Sequence, residues 1–200
     1  MKLYYSPGAC SLCPHIALRE AGAEFELVRV NLPEKKLPDG TDYFALSPKG
    51  QVPVLQLDDG ETLTENAAII QYIADQYPQS DLAPAAGTMG RYHLQEWLSF
   101  VGSELHKNFP PLFIARYPAD YKPMARQTLE RKFGNLEQHL ADKEYLMGNR
   151  FTIADAYCFT IMNWRKRAEL DLAPWPNLKA YVERVEARPK VLEAMAAEAS

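Results

Sequence analysis

The segment from Tyr4 to Arg19 constrains the fold of this chain most, because it passes from a strand through a tight turn into a helix. The start is apolar apart from Lys2, Ser6-Pro7-Gly8 has the composition of a turn, and apolar residues with helical spacing follow. Cys10 therefore lies at or just before a helix N-terminus, where unsatisfied N–H groups and the macrodipole favour a thiolate. This position predicts a reactive thiol with a lowered pKa; the alternative is a buried, inert cysteine.

Cys10 and Cys13 form a C-x-x-C pair. In redox proteins this spacing allows one thiolate to attack a disulfide and the second thiol to resolve it. Cys13 is therefore either a resolving thiol or a small residue packed beneath the sheet, and the spacing leaves both readings open. A zinc site needs further soft ligands, but the remaining cysteine, Cys158, has no paired partner. We expect no metal.

Composition and charge exclude several classes of protein. The 200 residues carry a net charge of −4 and show no basic stripe, which argues against a nucleic-acid partner. No segment approaches the ~20 apolar residues that cross a membrane, and no charged leader with an apolar core begins the chain. Three cysteines, an odd number, fit a reducing compartment. We therefore expect a cytoplasmic protein without a membrane partner.

Residues 1–77 alternate between strand-like and helix-like segments in the order βαβαββα. A βαβ unit followed by a hairpin and a helix gives a small mixed sheet, which is the layout of a thioredoxin-like domain. Pro53 begins the third strand, and the surrounding pattern favours a cis bond after Val52. The backbone of Val52 would then be held out of the ladder and face Cys10.

An all-helical domain is expected in the second part of the chain. Residues 78–87 have the composition of a linker, and residues 88–200 show helical periodicity, with helices at 119–140, 153–169 and from 177 onward, interrupted before Pro189. Thr152 and Asp155 have the spacing of a capping box. On the first helix, one face is small and polar around Ser99, which suits a close partner or a ligand.

This domain order, together with several motifs, resembles the bacterial beta-class glutathione S-transferases over essentially the whole chain. The motifs are the Cys10 segment, Ser47-Pro48-Lys49-Gly50-Gln51-Val52-Pro53, Leu63-Thr64-Glu65-Asn66, Glu104-Leu105-His106-Lys107 and Phe151-Thr152-Ile153-Ala154-Asp155-Ala156-Tyr157. The resemblance implies a cytoplasmic homodimer that uses glutathione as its co-substrate, and a helical domain that carries the electrophile pocket and much of the dimer interface.

The resemblance also implies how glutathione binds to the first domain. Glu65 is suited to the γ-glutamyl ammonium, and Asn66, with the free N–H groups at the start of its helix, to the γ-glutamyl carboxylate. The backbone of Val52 pairs with the cysteinyl residue, and Lys35 meets the glycine carboxylate. Cys10 then lies beside the glutathione sulfur.

Further residues enter the predicted site from the rest of the chain. His106 of the helical domain is expected to donate a hydrogen bond to the glutathione sulfur or to Cys10. Ser11 is expected either to donate to one of these sulfurs or to cap its helix. Ser99 and Ser103 are expected to contribute to glutathione binding, Ser99 across the dimer. Ser99 stands where the class commonly has asparagine, so it is shorter.

The resemblance predicts a glutathione transferase that stabilises the glutathione thiolate and conjugates it to hydrophobic electrophiles. The acceptor pocket is expected to be apolar and aromatic, with Phe109, Pro110, Leu112, Phe113 and Trp164 in its lining. One alternative is a glutathione-dependent thiol–disulfide oxidoreductase that uses Cys10, with Cys13 as the resolving thiol. Another is a non-catalytic ligand-binding protein on the same fold.

Overall fold

The computed structural model describes residues 1–199, which form two compact units. The first unit comprises Met1–Ala83 together with the C-terminal segment from Pro189, and the second comprises Pro84–Arg188. The periodicity of residues 88–200 predicts one helical domain, but the structure groups the last helix with the first unit. The reason is a set of contacts between distant residues that local periodicity does not report.

The first unit is a four-stranded mixed sheet with helices packed on it, as expected of a thioredoxin-like domain. Its strands are β1 (Lys2–Tyr5), β2 (Glu26–Arg29), β3 (Val54–Gln56) and β4 (Thr62–Thr64), in the order β2-β1-β3-β4. β1 and β2 are parallel, and the other two pairs are antiparallel. The helices are α1 (Leu12–Glu20) and α2 (Asn66–Gln76). Only a 3-10 turn, Tyr43–Ala45, lies between β2 and β3.

Helix α1 is the central element of this unit. All of its residues from Leu12 to Leu18 are buried, because α1 packs against both α2 and the last helix, α9 (Pro189–Ala199). Tyr4, Val54 and their buried neighbours form an apolar cluster of this unit. The Val52–Pro53 peptide bond is cis, as the sequence pattern favoured.

A buried polar chain attaches α9 to α1. His15 Nδ1 lies 3.0 Å from Glu198 Oε1, and both side chains are almost fully buried. Arg19 donates through Nε to His15 Nε2 at 2.8 Å and also pairs with Glu193. Because an arginine is always a donor, His15 must accept at Nε2 and carry its hydrogen on Nδ1 toward Glu198. The helix that follows Cys10 is thus held in place by residues from the far end of the chain.

The second unit is helical. Its helices are α3 (Met89–Phe100), α4 (Pro110–Phe113), α5 (Tyr121–His139), α6 (Ile153–Asn163), α7 (Arg165–Ala168) and α8 (Pro176–Glu186). The helix expected at 153–169 divides into α6 and α7, whereas the one expected at 119–140 matches α5 closely. Helix α3 continues as a π-helical turn, Val101–Leu105, and a 3-10 turn, His106–Asn108.

Asp155 organises the start of α6 as the capping-box spacing predicted. Its fully buried carboxylate accepts hydrogen bonds from the backbone N–H groups of Thr152 and Leu146, both at 2.8 Å. It also accepts from the Thr152 hydroxyl at 3.0 Å and from the Tyr181 hydroxyl at 3.1 Å. Burial raises the pKa of Asp155 to about 6 although these donors oppose the shift. The capping box thus also joins α6 to the preceding loop and to α8.

Within residues 1–199, no helix combines the length and apolar character needed to cross a membrane.

Candidate functional site

Cys10 lies at the turn between β1 and α1. The turn contains Gly8 with a φ of +69°, and hydrogen bonds from Ala9 N to Ser6 O and from Leu12 N to Ala9 O close it. The half-buried thiol of Cys10 donates to the Val52 carbonyl, with 3.4 Å between Sγ and O. The sequence therefore placed Cys10 correctly at the start of the helix, with the Val52 backbone facing it.

The expected lowering of the Cys10 pKa is contradicted. Burial raises the pKa of the Cys10 thiol to about 11, and the nearby carboxylates of Glu65 and Glu198 act in the same direction. The Asn66 side chain and the backbone N–H of Cys10 hydrogen-bond to the sulfur and oppose the shift without reversing it. Desolvation outweighs the helix N-terminus here. At neutral pH the ligand-free protein therefore carries a thiol at this position.

Cys13 shows the features of a packing residue. Its side chain is fully buried in α1, and burial raises the pKa of its thiol well above the ordinary value. A fully buried, protonated sulfur is a poor nucleophile. These observations favour packing over the resolving role.

Ser11 supports the turn. Its hydroxyl is fully buried, accepts from Ser6 N at 3.2 Å and donates to Ser6 O at 3.3 Å. It makes no side-chain capping bond to α1. Both bonds hold the turn before Cys10, so the structure supports a role for Ser11 in the turn and not as a helix cap, while its donation to a sulfur stays a prediction.

Glu65 and Asn66 lie together at the start of α2. Glu65 has a φ of +72°, which is uncommon for a residue other than glycine, and its carboxylate is paired with Lys49 Nζ at 2.6 Å. Asn66 is only 5% exposed, and within residues 1–199 its buried Oδ1 has no hydrogen-bond partner. A buried polar atom without a partner is costly, so this oxygen is suited to a donor from a bound ligand.

Lys35 resembles Glu65 in its backbone. It also has a positive φ, +55°, and its ammonium donates to the Gly50 carbonyl at 2.6 Å. Sparsely populated backbone conformations concentrate at ligand sites. Both charged residues expected to bind glutathione therefore lie at such positions.

Contacts connect these residues into a row. Lys35 contacts Gly50, which is two residues before Val52. The Val52 carbonyl contacts Cys10. The Cys10 sulfur in turn contacts Asn66, which is next to Glu65. The row therefore has a cation at one end, a thiol near its middle and a carboxylate at the other end. An extended peptide with a carboxylate at one end and an ammonium at the other is complementary to it.

His106 lies in the helical unit, directly after the π-helical turn, which is a distortion often found at functional sites. Its half-buried ring packs edge-on against Tyr157 and Trp164, with ring centroids 5.8 and 5.0 Å away. His106 Nδ1 lies 2.8 Å from the Tyr157 hydroxyl. The ring is therefore held by both packing and a hydrogen bond.

Two features of the expected acceptor and dimer surfaces are visible in the same unit. Trp164 packs edge-on against both Phe109 and Phe113, so three of the predicted pocket residues form one aromatic cluster. Ser99 and Ser103 are exposed, and the Ser103 hydroxyl lies 3.3 Å from Glu104 Oε1.

Sequence reasoning missed two neighbours of the site, Lys49 and Tyr157. Both appear only within the family motifs, with no partner assigned, and Tyr157 is 51 residues from the histidine that it contacts. No periodicity or motif spacing signals either pairing.

A separate cavity of about 510 Å³ lies in the helical unit between α3 and the end of α5. It is lined by His93, Glu96, Trp97, Phe100, Asn135, His139, Lys143, Leu146, Met147 and Gly148. His139 bonds to the Leu146 carbonyl, Lys143 to Asp142 and His93 to Glu96. Because these polar groups bond within the protein, the cavity mainly offers apolar surface.

Comparison with known proteins supports the resemblance to glutathione S-transferases. The glutathione S-transferase N-terminal domain family matches residues 8–76, and the C-terminal domain family matches residues 84–189. GstA, a glutathione S-transferase of Escherichia coli O157:H7, is 48% identical over 99% of this chain and 98% of its own. A beta-class glutathione S-transferase of Sphingomonas chungbukensis is 48% identical, with a TM-score of 0.95 over 99% of this chain and 98% of its own.

A sphingomonad glutathione S-transferase solved in complex with glutathione is 47% identical, with a TM-score of 0.95 over 100% of this chain and 99% of its own. The fold, the candidate site and these matches define a glutathione transferase architecture. The chain belongs to the glutathione S-transferase family, and its similarity is to the bacterial beta class. The family, fold class and enzyme class expected from the sequence are thereby confirmed.

Proposed function

We propose that this protein binds glutathione along the row from Lys35 to Glu65 and conjugates it to hydrophobic electrophiles. The observation that carries the proposal is the unpartnered Oδ1 of Asn66, because it lies beside Cys10 at the middle of a row whose ends carry opposite charges. A peptide with a central thiol, a terminal carboxylate and a terminal ammonium matches the thiol at the middle of the row and the opposite charges at its two ends, and it brings a donor for the Asn66 oxygen.

Each end of glutathione has a partner in this arrangement. Glu65 receives the γ-glutamyl ammonium, which replaces the Lys49 ammonium now paired with that carboxylate. The N–H groups at the start of α2 and the Asn66 side-chain amide N–H receive the γ-glutamyl carboxylate, whereas Asn66 Oδ1 accepts a hydrogen bond from the γ-glutamyl ammonium. The backbone of Val52 pairs with the cysteinyl residue, and Lys35 binds the glycine carboxylate.

Cys10 acts on the glutathione sulfur as a hydrogen-bond donor, and the family resemblance implies a donor role for His106 as well. Because the pKa of Cys10 is raised to about 11, Cys10 retains its hydrogen at neutral pH and can donate it to a glutathione thiolate in place of the Val52 carbonyl. Donors of this kind favour the ionised form of the sulfur that they contact. The nucleophile is then the glutathione thiolate, which attacks the electrophile as the leaving group departs.

The aromatic cluster of Phe109, Phe113 and Trp164 supplies the acceptor surface. Such a lining favours apolar electrophiles and promotes reaction mainly by holding them near the nucleophile.

A homodimer in the cytoplasm completes the proposal. Helix α3 exposes Met89 and Tyr92, at 66% and 56% of their surface, close in sequence to the exposed Ser99 and Ser103. Large exposed apolar side chains on one helix are typical of an interface. All three cysteines are free thiols, which is typical of a reducing compartment.

The test compares two activities of one preparation: conjugation of glutathione to a chloronitrobenzene and glutathione-dependent reduction of a small mixed disulfide. Conjugation should dominate, and Glu65→Gln should raise the KM for glutathione about tenfold, the usual range for a lost hydrogen bond to a charged group. Glu61→Gln, an exposed residue on the same hairpin, is the matched control and should behave as wild type. Dominant disulfide reduction with negligible conjugation would reject the proposal in favour of the oxidoreductase.

A further inference from the structure

Tyr157 is the neighbour of His106 that the established family assignment leaves without a role. It lies in the second turn of α6 and is only 5% exposed, and its hydroxyl lies 2.8 Å from His106 Nδ1. Gly102 of the π-helical turn covers this hydroxyl closely, since a Cβ built on Gly102 would lie 3.6 Å from it. The hydrogen bond is therefore formed in a packed environment, where hydrogen bonds are strong and geometrically defined.

A neutral imidazole carries one donor nitrogen and one acceptor nitrogen, and the hydrogen bond at one nitrogen decides the state of the other. We infer that Tyr157 is a positioning residue: its hydroxyl donates to His106 Nδ1 and so keeps the imidazole hydrogen on Nε2. His106 is then a donor through Nε2. This inference rests on the proposed function, in which His106 donates to the glutathione sulfur.

Ring packing fixes the orientation of the imidazole, and so which nitrogen faces the Tyr157 hydroxyl. Tyr157 and Trp164 meet the His106 ring at interplanar angles of 87° and 72°. The two edge-on contacts restrict rotation of the imidazole, and rotation would exchange its two nitrogens. The Tyr157 hydroxyl therefore selects the tautomer, while the aromatic rings of Tyr157 and Trp164 hold the orientation.

The residues of the helical unit place this pair by an unusual backbone path. The π-helical turn, Val101–Leu105, inserts before His106 and is followed directly by a 3-10 turn. Both backbone segments differ from the α-helix that precedes them, so the side chain of His106 leaves the helix at a position that regular α-helical geometry would not give. Tyr157 then provides a buried partner at that position.

The test uses Tyr157→Phe, which keeps the ring contact and removes only the hydroxyl. The 15N spectra of the imidazoles are recorded at about pH 8, where an ordinary histidine is neutral. The chain contains 4 histidines, so His106→Ala identifies the His106 signals directly. Wild type should show a hydrogen on Nε2 and none on Nδ1, and Tyr157→Phe should give a mixture of the two tautomers.

The kinetic readout separates positioning from folding. Tyr157→Phe should lower kcat for conjugation about three- to tenfold, the factor that one hydrogen bond represents, with the KM for glutathione nearly unchanged. In the His106→Ala background the same substitution should cause no further loss, because its effect acts through the imidazole. Tyr145→Phe is the matched control, since its hydroxyl accepts a hydrogen bond from Arg188 and does not contact His106.

Two results would overturn the inference. One is a wild-type His106 that carries its hydrogen on Nδ1, and the other is an unchanged tautomer and kcat in Tyr157→Phe. Failure of the proposed function has a different signature: wild type would show no conjugation at all. The role of Tyr157 in catalysis would then be rejected with it, even if the spectra showed the expected hydrogen bond.

Discussion

Replacing Asp155 with alanine tests the account of the α6 capping box. The carboxylate accepts four hydrogen bonds in a fully buried site, and two of the donors are the backbone N–H groups of Thr152 and Leu146. Asp155→Ala leaves both N–H groups buried without a partner, at about 1–3 kcal/mol each. We therefore expect the free energy of unfolding to fall by about 2–5 kcal/mol at neutral pH.

The pH dependence of this loss has a defined sign. Because the folded pKa of Asp155 is raised from 3.8 to about 6, the part of its contribution to stability that depends on the bound proton is fully present below the unfolded pKa and is lost as the pH rises through about 6. The shift of about two units corresponds to roughly 3 kcal/mol. The difference in stability between wild type and Asp155→Ala should therefore be larger near pH 4 than near pH 7.

The assay is urea unfolding followed by tryptophan fluorescence. All 3 tryptophans, Trp97, Trp164 and Trp175, lie in the helical unit that contains Asp155, so the signal reports on that unit. Asp120→Ala is the control, because Asp120 is exposed at the start of α5 and makes no capping bond. A loss below about 1 kcal/mol for Asp155→Ala, or one equal to that of Asp120→Ala, would refute the reasoning.

Three further predictions concern the first unit. Alkylation of Cys10 should become faster as the pH rises toward about 11, because the raised pKa leaves little thiolate at neutral pH; peptide mapping gives the rate. Lys49→Met should tighten glutathione binding by a few-fold in calorimetry, since the exposed Lys49–Glu65 pair is worth about 0–1 kcal/mol and competes with the ligand ammonium. Glu198→Ala should speed hydrogen exchange in α1 about 10- to 100-fold, because His15 loses a buried charged partner.

Each of these has a control or a contradicting result. A Cys10 alkylation rate that levels off near neutral pH would restore the thiolate expected from the helix N-terminus. Glutathione affinity that is unchanged or weaker in Lys49→Met would show that Lys49 does not compete for Glu65. Glu193→Ala removes an exposed partner of Arg19 and should leave α1 exchange close to wild type; equal effects of Glu193→Ala and Glu198→Ala would contradict the role of the buried pair.

Local sequence determined much of this protein. The strand, turn and helix around Cys10, the limits of α5 and the capping box of α6 each depend on residues within a few positions of one another, where turn chemistry and helical periodicity act. The family resemblance predicts that Lys35, Val52, Glu65 and Asn66 belong to one site, without any knowledge of the contacts among them.

Tertiary structure decided the properties that depend on residues far apart in the chain. Glu198 lies 183 residues from His15, yet it attaches α9 to α1, and Tyr157 reaches His106 across 51 residues. The pKa of Cys10 is raised, although the local sequence predicts a lowered pKa from the helix N-terminus. The difference arises because desolvation depends on everything that is packed around the sulfur. Local patterns specify backbone conformation, but burial and long-range pairing arise only when the whole chain has folded.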